Sequence, residues 1–278
     1  MPYVTLSKKS QKTVHKKDIT LFINQGALGD QLLALPLLSA LNNKVIYSGR
    51  GIGLNLIESL MPFQVINLDQ PPLKIKQQLQ KESISEIVSV GSLDWLEYQE
   101  SDYLNLSTNP GSNQPIWKQW GQSVLKRELQ PFYFPNLKIA PKPHLIISPG
   151  SGSPKKNWAS THYRSLIQKL KNHFKITLLF GPTEMELNSH LLWNDIRHEI
   201  DFSLNPSSNE LIELYSNATH YLGNDSGPGH LASVFNLKGA IIFISSNSKV
   251  WAPYGEALKC FSGPSLCEDL PPYFMSLL

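Results

Sequence analysis

The sequence predicts an α/β protein of two similar units, each built on a doubly wound sheet, facing each other across a cleft. Three observations carry this expectation. Short apolar runs alternate with helical patterns throughout the second half and, with a weaker signal, through the first. The runs are apolar on both faces, as strands of a parallel sheet covered by helices must be. The chain is 278 residues long and 41% hydrophobic, enough material for two domain cores.

In chain order, "ITLFIN" (19–24) reads as a strand and "GALGDQLLALPLLSAL" (26–41) as a turn and helix. Pro36 lies inside that helical pattern, where proline costs roughly 3 kcal/mol, so a kink is expected. "KVIYS", "QVINL" and "EIVSV" read as further strands. After Gly91 polar residues and turn formers run to about Pro115, and "WKQWGQSVLKREL" then reads as a helix. Pro131, Pro135, Pro141 and Pro143 mark a stiff connection, which places the domain boundary near residue 140, between units 1–140 and 141–278.

The second unit is easier to read. "HLIIS" (144–148) is a buried strand, and Ser160 opens a helix with Tyr163, Leu166, Ile167 and Leu170 on one face. "KITLLF" (175–180) is the next strand. Thr183 with Glu186, and Ser207 with Glu210, match the capping-box spacing that starts a helix. The strand "THYLG", the helix "GHLASVF" and the strand "GAIIFIS" follow.

The net charge of +3, with no basic helix or zinc pattern, argues against a nucleic-acid binder. Lys8, Lys9, Lys12, Lys16 and Lys17 crowd residues 1–18, which read as a solvated tail. The alternative for these lysines is peripheral attraction to an anionic membrane surface. No apolar run is long enough to span a bilayer, and "ITLFI" is too short for a signal-peptide core, so a cytoplasmic protein is expected. Cys260 and Cys267 fit neither a zinc framework nor a disulfide scaffold and read as packed free thiols.

Ligands of doubly wound sheets bind outside the carboxyl ends of the strands. Three turns lie there. In "GNDSGPGHL" (223–231), Pro228 suits the first helical position, and Gly227 and Gly229 let a ligand approach the backbone. Free amides and the helix dipole there favour a pyrophosphate, to which a protonated His230 adds a donor. Asp225 would repel phosphate and suits sugar hydroxyls instead. A helix cap with a core histidine is the plain structural alternative. In "SPGSGSPKKNW" (148–158), Gly150, Ser151, Gly152 and Ser153 with Lys155 and Lys156 make an anion site without P-loop spacing, or else a surface loop. In "NQGALGDQLLALP" (24–36), Gly26 and Gly29 allow a tight turn, and Asp30 stands at or near the helix start, where a cap is worth about 1 kcal/mol. "GRGIGLN" (49–55) lacks the third glycine of a dinucleotide fingerprint and follows the second strand, which argues against a nicotinamide enzyme. No G-x-S-x-G elbow surrounds Ser226, which argues against a serine hydrolase.

Taken together, "GALGDQLLALPLLSAL", "ISPGSGSPKKNWASTHYRSLIQKL", "FGPTEMEL" and "NDSGPGHLASVFNLKGAIIFISSNSKVWAPYGE" resemble the ordered signatures of the heptosyltransferases, glycosyltransferase family 9. The D-S-G-x-x-H element with W-x-P-Y-G downstream is the most specific part, and G-D-x-x-x-x-x-P the next. The resemblance implies a GT-B fold of two facing Rossmann-like domains. It also implies an inverting, cofactor-free transfer from a nucleotide-sugar, typically ADP-heptose, to a lipopolysaccharide-core acceptor. By that resemblance Asp30 falls on the general base, Lys156 on the diphosphate-binding lysine and Glu184 on the ribose-binding acid. Asp225 falls on the sugar-binding aspartate, and Ser226, Gly227 and His230 fall in the diphosphate turn. Glu184 is expected to be spare for this role because the capping box would occupy Glu186. The chain has no Asp-x-Asp pair to clamp a metal, which favours a metal-independent reaction. It ends at "LPPYFMSLL", where the family usually continues into a C-terminal helix that packs back across the domains. A non-catalytic nucleotide-sugar-binding relative is the competing expectation.

Overall fold

The computed structural model describes residues 19–98, 102–107, 113–135, 143–263 and 265–278. The lysines of the first eighteen residues and the expected boundary near residue 140 lie outside the described residues.

The first sheet is built from β1 (Ile19–Asn24), β2 (Lys44–Gly49), β3 (Gln64–Asn67), β4 (Ile84–Val90) and β5 (Leu104–Leu106). Their order is β3-β2-β1-β4-β5 and every pairing is parallel. Helices α1 (Leu28–Leu33), α2 (Leu35–Ala40), α3 (Gly51–Leu60), α4 (Pro72–Leu79) and α5 (Ile116–Leu125) connect and cover it. The helical pattern of residues 28–40 is interrupted at Ala34, and Pro36 sits in the first turn of α2, where its missing N–H is harmless. The kink expected at this proline is thus a change of helix.

The second sheet contains β6 (His144–Ser148), β7 (Lys175–Phe180), β8 (Asp201–Leu204), β9 (His220–Asn224), β10 (Lys238–Ile242) and β11 (Leu258–Phe261). Its order is β11-β10-β9-β6-β7-β8, again all parallel. The intervening helices are α6 (Ser160–Leu170), α7 (Pro182–Glu186), α8 (Ser208–Ser216), α9 (Gly227–Val234), α10 (Ser248–Trp251) and α11 (Leu266–Met275). Tyr163, Leu166, Ile167 and Leu170 are the buried face of α6, as their spacing predicts. The "LPPYFM" end of the chain is the last part of α11, which packs on α6. Cys267, on α11, is exposed, which corrects the expectation of two packed thiols; Cys260 is half-buried on β11.

Among the described residues, three apolar clusters organise the fold. One covers the far face of the first sheet (Leu21, Ile23, Ile46, Ile75) and one the far face of the second (Leu145, Ile147, Tyr163, Phe174). The third runs without a break from Phe22, Leu32, Leu56 and Trp120 of the first unit to Ile146, Tyr215, Phe235 and Tyr254 of the second. Across this joint α1 packs on α9 and α3 on α8. The strand order of each sheet reverses beside its first strand, at β1/β4 and at β6/β9. The turns that follow β1, β6 and β9 therefore open at the switch points, where α/β sheets hold ligands. No helix among the described residues is long and apolar enough to cross a membrane.

Candidate active site

The centre of the second half-site is Asn224, the last residue of β9, which is fully buried. Its Oδ1 accepts from the Trp158 amide (2.9 Å) and the Tyr163 hydroxyl (3.0 Å), and its Nδ2 donates to the Pro149 carbonyl (2.7 Å). One amide thereby fastens both ends of the 149–158 loop to the end of β9. Inside that loop the Ser151 hydroxyl donates to Ser153 O (2.8 Å) or Asn157 Oδ1 (2.6 Å) and is buried. Ser151, expected to bind the donor, shapes the loop that presents Lys156.

Lys156, on the 3-10 turn Pro154–Lys156, reaches across to Asp225, Nζ to Oδ2 at 2.8 Å. Ser246 Oγ donates to the same oxygen at 2.6 Å. Asp225 is only 5% exposed, while its Oδ1 accepts no hydrogen bond among the described residues. Ser246 carries no sequence signal; only its place in the small-residue run "SSNS" after β10 hints at a loop reaching into the cleft.

His230 is buried, with Nε2 at 3.9 Å from Asp225 Oδ1 and Nδ1 without a partner. Burial holds its pKa well below the ordinary histidine range, against the opposing pull of Asp225 and with the help of Lys156. At neutral pH it is an uncharged imidazole, which corrects the expectation of a protonated donor. The glycines of this turn also differ from expectation. A Cβ on Gly227 would lie 2.7 Å from Leu28 of α1, and one on Gly229 would lie 2.7 Å from Ile241 of β10. Their missing side chains leave room for the protein's own neighbours. Helix α9 starts at Gly227, so Pro228 is its second residue rather than its first. The Gly229 amide bonds back to Ser226 O (3.0 Å), and the Ser226 hydroxyl donates to Asn224 O (3.1 Å). The amides of Ser226 and Gly227 have no partner among the described residues.

On α7 the cap is reversed from the expected one. Gly181 is the N-cap, and Glu184, three residues on, accepts from its amide at 2.8 Å. Glu186 is exposed and caps nothing. The T-x-x-E pattern misleads because Gly181-Pro182 starts the helix two residues early, proline being favoured in the first turn. Glu184 is nonetheless turned into the site: a Cβ on Gly150 would fall 2.0 Å from its Oε1. Burial raises its pKa, partly offset by the Gly181 amide.

From the first unit, the 24–30 turn meets this site. Asp30 is the third residue of α1, and its Oδ2 accepts from the Ala27 amide at 3.1 Å. A Cβ on Gly29 would stand 2.9 Å from the His230 ring, and one on Gly26 would stand 2.5 Å from Asp30 Cβ. Burial raises the Asp30 pKa, against the Ala27 hydrogen bond and the charge of Lys156, while Asp225 adds to the rise. Asp30 is therefore a stronger base than an ordinary aspartate. Its sensitivity to both Lys156 and Asp225 places the three charges in one electrostatic neighbourhood.

A family model described as glycosyltransferase family 9 (heptosyltransferase) matches residues 103–269, more than half of the chain. The chain belongs to glycosyltransferase family 9. That match contains Lys156, Glu184, Asp225 and His230, whereas Asp30 lies before it. Among solved structures, the E. coli heptosyltransferase WaaC with ADP has a TM-score of 0.71 at 14% identity, covering 93% of this chain and 98% of that one. A family 9 glycosyl transferase from Veillonella parvula has a TM-score of 0.71 at 12% identity, over 91% of this chain and 89% of that one. E. coli ADP-heptose lps heptosyltransferase II has a TM-score of 0.70 at 15% identity, over 92% and 96%. No curated protein matches the chain by sequence. These likenesses give the chain the GT-B fold of two parallel-sheet α/β domains.

Proposed function

We propose that this family 9 glycosyltransferase carries out an inverting transfer of a heptose from ADP-heptose to a saccharide or glycolipid acceptor of the lipopolysaccharide-core type. The observation that carries the reading is the meeting of a half-buried, pKa-raised Asp30 from one unit with the Lys156–Asp225 pair from the other. The donor lies on the second unit. Its diphosphate sits between Lys156 and the free amides of Ser226 and Gly227, with Glu184 on the ribose and the open Oδ1 of Asp225 on a sugar hydroxyl. The acceptor enters over the turn of Gly26 and Gly29.

In the reaction the acceptor oxygen bonds to the anomeric carbon while the bond from that carbon to the diphosphate breaks, its electron pair leaving with the nucleoside diphosphate. The acceptor proton passes to the Asp30 carboxylate, help worth typically ~10²–10⁴ in rate. Lys156 and the α9 amides stabilise the charge that develops on the leaving group, taking a metal's place.

Asp30→Asn is expected to abolish transfer and leave donor affinity nearly intact; wild-type turnover in this variant would refute the base assignment. Lys156→Ala is expected to weaken ADP binding, read by calorimetry. Thermal shifts with ADP-, UDP- and GDP-sugars identify the donor, because a ligand that binds only the folded state raises its melting temperature. Binding without transfer would assign the chain to the non-catalytic alternative.

A further inference from the structure

Gln31 follows Asp30 on α1 and points the opposite way, into the protein, where it is only 2% exposed. Its Nε2 donates to the Gly26 carbonyl (3.2 Å) and the Arg50 carbonyl (3.2 Å), and its Oε1 accepts from the Tyr47 hydroxyl (3.1 Å). Tyr47 is itself wholly buried and stacked on Phe22, with ring centroids 6.1 Å apart. The amide is enclosed by "GRGIG". A Cβ on Gly49 would stand 2.5 Å from Gln31 Oε1, and one on Gly53 would stand 2.4 Å from Nε2. Two of the three glycines in that segment leave room for this one side chain, which is why the run looks like a dinucleotide fingerprint without being one. From the other side Asn24 holds the same turn, Oδ1 accepting from the Gly26 amide (2.9 Å) and Nδ2 donating to the Asp30 carbonyl (3.1 Å).

We propose that Gln31 is a positioning residue for the transfer reaction. Held by Tyr47 and Arg50 O, it fixes the Gly26 carbonyl and so sets where the Asp30 carboxylate stands. The proposal rests on Asp30 being the base. Misplacement of a reacting group by about 1 Å can cost on the order of 10²-fold in rate, so a turn of small residues needs such a brace. The charged and titratable groups facing Asp30 are Lys156 and Asp225 across the cleft, His230 on α9 and Tyr47 beneath. A change at Gln31 touches no hydrogen bond of Lys156, Asp225 or His230 and takes from Tyr47 only the acceptor of its hydroxyl.

The test uses the full chain with ¹³C-labelled aspartate carboxyls, following the Asp30 titration by NMR in wild type and in Gln31→Met, which keeps the length of the side chain and removes its hydrogen bonds. The expected result is a fall of the Asp30 midpoint toward the ordinary aspartate value as the loosened turn admits water. A kcat loss of about 10²-fold with ADP-heptose and an unchanged KM for the donor should accompany it. A purely structural Gln31 would lower the melting temperature and leave the midpoint in place, and that outcome overturns the proposal. Tyr47→Phe, which removes only the bond to Oε1, should shift the midpoint the same way by less, and it carries the test if Gln31→Met fails to fold. Full activity in Asp30→Asn would defeat the base reading alone, because the titration reports on the turn without any acceptor.

Discussion

Asn224 joins three backbone or side-chain groups that have no water to turn to. Replacing it with leucine strands the Trp158 amide, the Tyr163 hydroxyl and the Pro149 carbonyl, each at about 1–3 kcal/mol. We expect Asn224→Leu to be among the most destabilising single changes in the second unit, as measured by urea unfolding, and to weaken ADP binding because Lys156 loses its platform. The ionisable residues of the site behave in the opposite way. Asp30 has a folded pKa above its unfolded one, so the stability it contributes is present below about pH 4 and is lost as pH rises through the folded value. Asp30→Asn, whose amide oxygen still accepts from Ala27, should therefore raise the melting temperature at pH 7 and leave it unchanged below pH 4. The charged residues and the glycines of the site were legible as residue types in strand-end turns. Their partners were not: a sequence shows that Gly227 lacks a side chain, but not that Leu28, nearly two hundred positions earlier, fills the space.

At the level of elements, local chemistry was the more reliable guide where one pattern acted alone. Ser207 caps α8 with Glu210 as its spacing requires, and Ser207→Ala should cost about 1 kcal/mol by thermal melting. Near residue 183 two start signals competed, and Gly181-Pro182 prevailed over Thr183. Central strands β1, β6, β7 and β9 were visible as short, largely apolar runs ending at turn formers. The edge strands β5, β8 and β11 were not, because "LNL", "DFSL" and "LKCF" are short and half polar, as edges facing solvent are. Helix α11 was hidden by Pro271 and Pro272 inside it, which local reasoning takes as a break.

Across the whole molecule, three histidines share one electrostatic character. His144, bonded through Nε2 to Thr177 Oγ1 (2.8 Å), His220, edge-on to Phe174, and His230 are all pushed below the usual histidine pKa, chiefly by burial. The stability they contribute is fully present above about pH 6.5 and is lost as pH falls from there toward their folded values, because only the unfolded chain then takes up protons. Unfolding followed from pH 8 to pH 5 should show this decline, and His144→Gln should flatten part of it.

The unbroken apolar cluster that joins the sheets bears on how such a transferase can be re-engineered. Grafting a relative's first unit onto this second unit would set foreign surfaces against α8 and α9. Such a hybrid needs the contact faces of α1 and α3 carried over unchanged, so the natural seam for recombination lies within the first unit, behind those helices, and not at the proline-rich connection that divides the chain on paper.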